Sequence, residues 1–300
     1  MPKLGIVVKL LAEVPMTVTL RPANQGDAEA AGRICYEAFK AIAEAHGFPP
    51  DFPSAEIAQG ALAGMIAAPN VHGVVAEAGG RIIGSNFLDE RGPIHGVGPI
   101  TVDPSDQNSG VGARLMDAVL EHGRARGQAG IRLLQSGYHS RSLSLYSKLG
   151  YEVREHISCF QGQPIGAAKP GYPVRLATAD DLEACDALCT DVHGHARSGE
   201  VASAIERGAA KVVEREGRIT GYATPIAFFG HAAARTNDDL IALIAEAPAF
   251  PGPGFLVPSR NGEVMRWCLG HGLRMQYAMT LMTMGLYNEP AGAWLPSVLY

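Results

Sequence analysis

The feature of this 300-residue sequence that most constrains its fold is an internal repeat. Each copy begins with a short strand carrying an arginine, continues through an aspartate into an amphipathic helix, and then forms a hairpin that turns on glycine. The matching segments occur in the same order, at residues 21–35 and 175–189, 75–84 and 212–221, and 139–151 and 261–273. Because three matches keep their order along the chain, the sequence predicts two copies of one α+β unit.

A linker rich in glycine and proline sets the expected domain boundaries. We expect the first copy at residues 16–160, the linker at 161–171 and the second copy, with an apolar tail, at 172–300. Residues 1–15 precede the first convincing strand and are interpreted as a leader or a start-site artefact.

Composition limits the classes of partner. The formal net charge is −5 and the sequence pI is about 6.1, so the chain has no overall basic field to attract nucleic acid or an anionic membrane. The apolar stretch near the N-terminus is too short to span a bilayer. A small-molecule partner is therefore favoured, and a homodimer is an open prediction.

Cysteine and histidine usage argues against structural metal and disulfides. The five cysteines are scattered and include no C-x-x-C pair, which disfavours a zinc ribbon and a disulfide framework and favours a reducing cytoplasm. His193 and His195 form one H-x-H pair without a third ligand at a suitable spacing. We therefore expect no metal.

The segment that carries chemistry is a strand, a glycine-rich turn and a helix start. We call residues 103–112 the glycine loop; it follows a strand expected at 98–102 and precedes a helix expected from Ala113. Free N–H groups at a helix N-terminus bind anions, and glycine lets a phosphate approach the main chain. The loop lacks the lysine of a nucleoside-triphosphate loop, and Leu115 stands where a dinucleotide fingerprint has its third glycine, so a nucleotide-dependent oxidoreductase is disfavoured.

Residues 102–112 resemble the acyl-CoA-binding motif of the GNAT acetyltransferase superfamily, in which a strand leads into V-x-P-x-x-Q-x-x-G-x-G and an apolar helix. Residues 140–151 resemble the second signature of that superfamily, a helix ending in L-Y-x-K-L-G-Y. The resemblance covers the first copy and extends weakly to the second. It implies an α+β fold of the α/β/α GNAT type, with a mixed, mostly antiparallel sheet, in two tandem copies.

The resemblance also implies acetyl-CoA as cosubstrate and direct acetyl transfer to the amine of a small, amino-acid-like or other acceptor. In the superfamily the pantetheine arm pairs with a splayed strand, the pyrophosphate lies on the loop N–H groups, and a tyrosine, here Tyr146, protonates the leaving thiolate. His139 stands where the superfamily commonly has an asparagine, and Ser140 beside it is a candidate helix cap. The cofactor-binding residues implied are Ile100, Thr101, Val102, Gln107, Asn108, Ser109, Gly110, Val111, Gly112, Ala113, His139 and Ser140.

The general base is where the sequence departs from the superfamily. The stretches at 95–98 and 131–135, where a carboxylate is often found, contain none. His95 and Glu90, with Asp89 as a further choice, are the candidates, because imidazole and carboxylate groups can accept the amine proton. Alternatively, these side chains have no catalytic role and simply contact solvent at the turn before His95.

The second copy is expected to be degenerate. It has no glycine loop, its helix from Asn237 begins with carboxylates that would repel a pyrophosphate, and Cys268 replaces the tyrosine. We therefore predict one acetyl-CoA-dependent N-acetyltransferase site. A non-catalytic CoA-binding regulatory or sensing module is the alternative, since the carboxylate base is missing.

Overall fold

The computed structural model describes residues 17–299, so the expectation for residues 1–15 lies outside them. The first copy contains, in chain order, β1 (Val18–Pro22), α1 (Ala28–Ala45), α2 (Ala55–Ala67), β2 (Val71–Ala78), β3 (Arg81–Asp89), β4 (Ile94–Val97), β5 (Thr101–Val102), α3 (Val111–Ala125), β6 (Gly130–Ser136), α4 (Ser140–Lys148) and β7 (Glu152–Gln161). The second contains β8 (Val174–Leu176), α5 (Leu182–His193), α6 (Ser198–Glu206), β9 (Lys211–Arg215), β10 (Arg218–Ala223), β11 (Ala232–Ala234), α7 (Asn237–Ala245), β12 (Phe255–Pro258), α8 (Gly262–Gly270), β13 (Arg274–Gly285) and β14 (Ala293–Leu295).

The repeat is visible in the side-chain contacts that start each copy. The Arg21 guanidinium donates to both carboxylate oxygens of Asp27, at 2.7 and 2.8 Å, and Arg175 donates to both oxygens of Asp181, at 2.7 Å each. In each copy the arginine Nε also donates to a hairpin glutamate, Glu77 or Glu214. Planar, bidentate pairs of this kind fix orientation as well as charge, so they tie the first helix to the hairpin in both copies.

The two copies exchange strands in the larger sheet. Its strand order is β1-β2-β3-β4-β6-β13-β7-β12, with β5 paired to β3, so β13 of the second copy lies between two strands of the first. It is antiparallel to both neighbours, pairing Met279–Gly285 with β6 and Arg274–Thr283 with β7. The linker divides the chain, but it does not divide this sheet. The sequence analysis did not predict this exchange.

Helices cover both faces of each sheet. In the first copy α1 and α2 pack on one face around Phe87, and α3 and α4 pack on the other. The smaller sheet, in the order β14-β11-β10-β9-β8, lies between α5 on one face and α7 on the other. The predicted fold class, α+β with mostly antiparallel sheets in two tandem copies, is confirmed. Within residues 17–299 no helix is long and apolar enough to cross a membrane.

The strand expected at 98–102 is interrupted, and this correction matters for the site. The parallel pairing of β4 with β6 ends at Gly96, β4 itself ends at Val97, and the chain next pairs through β5 with β3. Gly98 has a φ of 136°, which favours glycine, and Pro99 has no N–H to donate to a ladder. Beyond Gly96, β4 and β6 therefore separate and open a wedge in the sheet.

We predict that the full chain unfolds in one cooperative transition, because β13 supplies the central pairing for two strands of the first copy. A chain ending at residue 171 would leave β6 and β7 with unpaired edges, and exposed edges promote aggregation. Calorimetry of the full chain, beside solubility and circular dichroism of the shortened one, tests this. Two separate transitions, or a folded and soluble shortened chain, would contradict it.

Candidate functional site

A cavity of about 940 Å³ opens at the wedge between β4 and β6. One end is formed by the glycine loop and α4, and we call it the loop end. The other end, the α1 end, is formed by α1, the residues after it and side chains of the second copy. The lining residues at the α1 end include Phe39, Ile42, His46, Asp51, Phe52, Tyr138, Phe228, Phe229, Met279, Val298 and Leu299.

The glycine loop leads into the start of α3. Its first helical residue is Val111, two positions before the expected start, and Gly110 precedes it with a φ of 83°. Gln107 braces the loop by donating from Nε2 to the Val102 carbonyl at 3.2 Å. All the implied residues of the loop region except Ser109 line the cavity, so the structure brings Ile100 to Val102 and the helix start together.

Gly112 faces open space in the cavity. A Cβ built there would meet only Val102 Cγ2 at 3.8 Å and Leu145 Cδ2 at 3.9 Å, which is ordinary van der Waals contact. A side chain at this position would therefore extend toward the N–H groups of the first helical turn, which have no carbonyl partner in the helix. The fold can accommodate a side chain at this position. That side chain would, however, interfere with an anion bound at these N–H groups.

Arg141 is a functional candidate that the sequence analysis missed. Its guanidinium donates to Gln107 Oε1 at 2.6 Å and to Asn108 Oδ1 at 3.2 Å, so it ties α4 to the glycine loop. It also places a positive charge beside the helix start, where charge and dipole attract an anion together. The sequence signal that could have identified Arg141 is a basic residue in the first turn of α4, the helix of the second superfamily signature.

Tyr146 is nearly buried on α4 and lines the cavity. Burial raises the pKa of its phenol to about 12, and a hydrogen bond with Ser142 opposes that rise. The Ser142 hydroxyl in turn lies 2.7 Å from His139 Nδ1. His139, Ser142 and Tyr146 therefore form a short hydrogen-bonded series along one side of α4.

His139, and not Ser140, occupies the N-cap position of α4, so the expected cap by Ser140 is wrong. The His139 ring makes no capping bond, because its Nδ1 bonds Ser142 three residues further on. Burial lowers the pKa of His139 to about 4, so its ring is neutral at physiological pH. Both residues line the cavity.

His95 and Glu90 do not line the cavity, and the structure does not bring them to Tyr146. His95 lies on the part of β4 that is still paired with β6, before the wedge opens. Glu90 lies near the end of α3, where it forms ion pairs with His122 and Arg126. Burial lowers the pKa of His95 and the nearby Glu90 and Asp89 charges oppose this.

The α1 end of the cavity carries a carboxylate that the sequence analysis did not single out. Asp51 follows α1, and its Oδ1 accepts a hydrogen bond from the Tyr277 hydroxyl at 3.1 Å. Burial raises the pKa of Asp51 to about 6, and the bond from Tyr277 opposes that rise. Tyr277 belongs to β13, so it reaches Asp51 only through the strand exchange. Nothing in a single copy of the repeat indicated this contact.

In the second copy, the place equivalent to the wedge is filled. β14 pairs with β11 and packs beside β12 of the larger sheet, so it occupies the space between these two strands. At the start of α7, Asp239 is buried and paired with Arg215 at 2.8 Å. Cys268 is buried on α8 at the position equivalent to Tyr146. In the second copy these contacts fill the space that the wedge leaves open in the first.

Two histidines of the second copy lie close together inside it. The His193 and His231 rings are buried, and their Nε2 atoms lie 3.4 Å apart. Across residues 17–299, no group of three or more histidine, cysteine, aspartate or glutamate side chains is arranged to hold a metal ion. The five cysteines are free and buried.

Residues 69–153 match a family model described as an acetyltransferase (GNAT) domain. This segment of the chain is similar to a GNAT domain. The match covers β2 through the start of β7, and so includes the glycine loop, the wedge and Tyr146. Domains of this family transfer acyl groups from acyl-CoA. None of the curated proteins compared with the chain matches it.

Solved structures share the fold along nearly the whole chain. A candidate acetyltransferase from Pyrococcus horikoshii is 16% identical with a TM-score of 0.72, over 92% of this chain and 94% of the other. A GCN5-related N-acetyltransferase from Sphaerobacter thermophilus is 17% identical with a TM-score of 0.59, over 91% and 96%. A tandem GNAT protein from the clavulanic acid biosynthesis pathway is 14% identical with a TM-score of 0.53, over 94% and 100%. At these identities the likeness establishes the tandem GNAT fold.

We predict that Gly112→Asp abolishes acetyl-CoA binding without unfolding the chain. The added carboxylate fits the open space but repels a pyrophosphate at the helix start. Calorimetric titration with acetyl-CoA, beside NAD as a non-cognate ligand, is expected to give one site per wild-type chain and no heat for the variant. Gly112→Ala is the matched control for side-chain volume, and thermal melting checks folding. Two sites per chain would mean that the second copy also binds cofactor.

Proposed function

We propose that this protein transfers an acetyl group from acetyl-CoA directly to the amine of a small-molecule acceptor. The observation that carries the proposal is that one continuous cavity joins the glycine loop, Tyr146 and the α1 end. Cofactor and acceptor can therefore enter from different ends and meet beside Tyr146. Direct transfer needs such proximity, because both reactants must be held together.

The residues that the sequence implies for cofactor binding can each be assigned to a part of acetyl-CoA. We assign the pyrophosphate to the N–H groups of residues 108–113, with Arg141 adding positive charge, and the pantetheine arm to residues 100–102. β5 pairs with β3, and the chain has left β4 at this point. The backbone N–H and C=O groups of residues 100–102 that are not paired with β3 therefore face the wedge. A pantetheine amide can use them as a neighbouring strand would.

The chemistry then requires two proton movements. The neutral amine attacks the thioester carbonyl, the C–N bond forms, and the carbon–sulfur bond of the tetrahedral intermediate breaks. Tyr146 donates its phenolic proton to the departing thiolate, and the proton that the nitrogen loses returns through solvent to restore the phenol. The net change converts amine and acetyl-CoA into amide and CoA thiol.

His95 and Glu90 were the sequence candidates for the base, and neither lines the cavity. A group at that distance can act only through intervening atoms, so we assign neither of them direct contact with the amine. Localisation in the cytoplasm, a homodimer and an amino-acid-like acceptor stay predictions.

We predict that Tyr146→Phe lowers kcat by about 100-fold, the usual contribution of a general acid, while acetyl-CoA affinity stays within a factor of about two. Tyr151→Phe is the matched control. Its ring packs edge-on against Tyr146 with centroids 6.0 Å apart, but it does not line the cavity. Release of free thiol over a panel of amines, amino acids and peptides measures turnover, and calorimetry measures affinity.

Equal loss of activity in both tyrosine variants would point to packing and not acid catalysis. If acetyl-CoA binds but no acceptor is acetylated across the panel, the CoA-binding sensing module becomes the better interpretation. These outcomes distinguish acetyl-CoA binding from catalytic turnover. The presence of the glycine loop does not make that distinction.

The pKa of Tyr146, raised to about 12, also predicts a pH dependence. A raised pKa keeps the phenol protonated at every pH below that value. Tyr146 therefore contributes no loss of kcat between about pH 7 and 10, whereas a phenol at its ordinary pKa near 10 would begin to ionise. A kcat profile over this range, with the enzyme saturated with acetyl-CoA, tests the prediction. An alkaline decline that disappears in Tyr146→Phe would contradict it.

A further inference from the structure

The α1 end of the cavity joins a carboxylate to an aromatic surface from both copies. Phe48 and Tyr138 stack with centroids 4.7 Å apart, and Tyr277 meets both rings edge-on at 5.8 and 6.1 Å. The Tyr277 hydroxyl donates to Asp51; of these four residues, Asp51 and Tyr138 line the cavity, and Phe48 and Tyr277 pack against them. Carboxylate and aromatic faces both attract a cation, and the aromatic faces also accept apolar atoms.

Asp51 is the charge that an acceptor meets at this end. Among the described residues it forms no ion pair with lysine, arginine or histidine. The lining residues at the α1 end include no lysine or arginine; Arg141 and Lys148 lie at the loop end. An ammonium group therefore finds a counter-ion there, whereas an acceptor carboxylate finds no lysine or arginine.

The rest of the α1 end is apolar. Its surface comes from Phe39, Ile42 and Phe52 of the first copy and from Phe228, Met279 and Leu299 of the second. Such a surface favours carbon-rich groups, because binding removes their apolar area from water. Polar acceptors gain nothing comparable from it.

Resting on the proposed function, we infer that Asp51 binds the ammonium group of the entering acceptor, which releases one proton to solvent before the neutral amine attacks, and that the acceptor is an amine with an apolar or aromatic body and no carboxylate. The sequence analysis expected an amino-acid-like acceptor. This inference specifies an amine that corresponds to an amino acid without its carboxylate. Asp51 acts as a binding and specificity residue, and Tyr277 of the second copy is its positioning residue.

Phenethylamine and phenylalanine test this inference, because they differ only in the carboxylate. Wild-type protein is expected to acetylate phenethylamine at least about tenfold more efficiently, since an unpaired like charge is costly in a closed site. Asp51→Asn is expected to raise the KM for phenethylamine by about 10- to 100-fold, the loss of a charge-assisted hydrogen bond, with little change in acetyl-CoA affinity. Asp117→Asn, an exposed carboxylate on α3 outside the cavity, is the matched control.

The pH dependence gives a readout that a structural role would not move. Asp51 must be ionised to hold the ammonium, so the KM for phenethylamine is expected to rise as pH falls through about 6. The titratable groups around it are Cys35 on α1, Tyr138 after β6, Cys159 on β7 and Tyr277 on β13, and burial raises the pKa of each, so all are neutral there. His46 also lines this end. Asp51→Asn abolishes the rise if Asp51 causes it and keeps it if His46 does.

Tyr277→Phe provides a second variant that keeps the ring. Removing its hydrogen bond raises the Asp51 pKa further, so the rise in KM is expected to begin at a higher pH. If the protein does not bind acetyl-CoA, the proposed function fails, and direct titration of phenethylamine against wild type and Asp51→Asn still tests the amine site. If acetyl transfer proceeds but phenylalanine is used equally well, or Asp51→Asn leaves the KM unchanged, this inference alone is overturned.

Discussion

The pairing of β13 between β6 and β7 is the interaction on which the rest of the structure depends. It completes the sheet of the first copy with a strand from the second, along almost the full length of both neighbours. A strand buried between two partners cannot leave without exposing backbone groups on both of them. The exchange therefore joins the copies more firmly than the linker does. It also delivers Tyr277 and Met279 toward the cavity.

The same sheet architecture gives opposite results in the two copies. In the first, β4 and β6 separate after Gly96 and leave a cavity. In the second, β14 fills the equivalent gap, and Asp239 at the helix start is neutralised by Arg215 within the protein. In the first copy the start of α3 faces the cavity, whereas in the second copy the equivalent space is packed with protein atoms.

Local sequence patterns predicted the elements because those elements depend on neighbouring residues. The glycine hairpins and the glycine loop follow from positive φ angles that only glycine adopts easily, and the loop brace by Gln107 spans just five residues. The choice of base was less successful. His95 is close to the motif in sequence, but it lies on the paired part of β4, before the wedge opens. The point at which two strands separate depends on how each of them pairs with its other neighbours in the sheet.

By itself, the sequence determined the duplication, the fold class and the glycine loop before α3, since each rests on short-range spacing and helix-end chemistry. Tertiary structure alone decided the exchange of strands, the shape of the cavity and the meeting of Asp51 with Tyr277, which are far apart in the chain. The two copies contain similar strands, so periodicity does not distinguish pairing within a copy from pairing between copies. Burial and hydrogen bonding across the whole sheet make that choice.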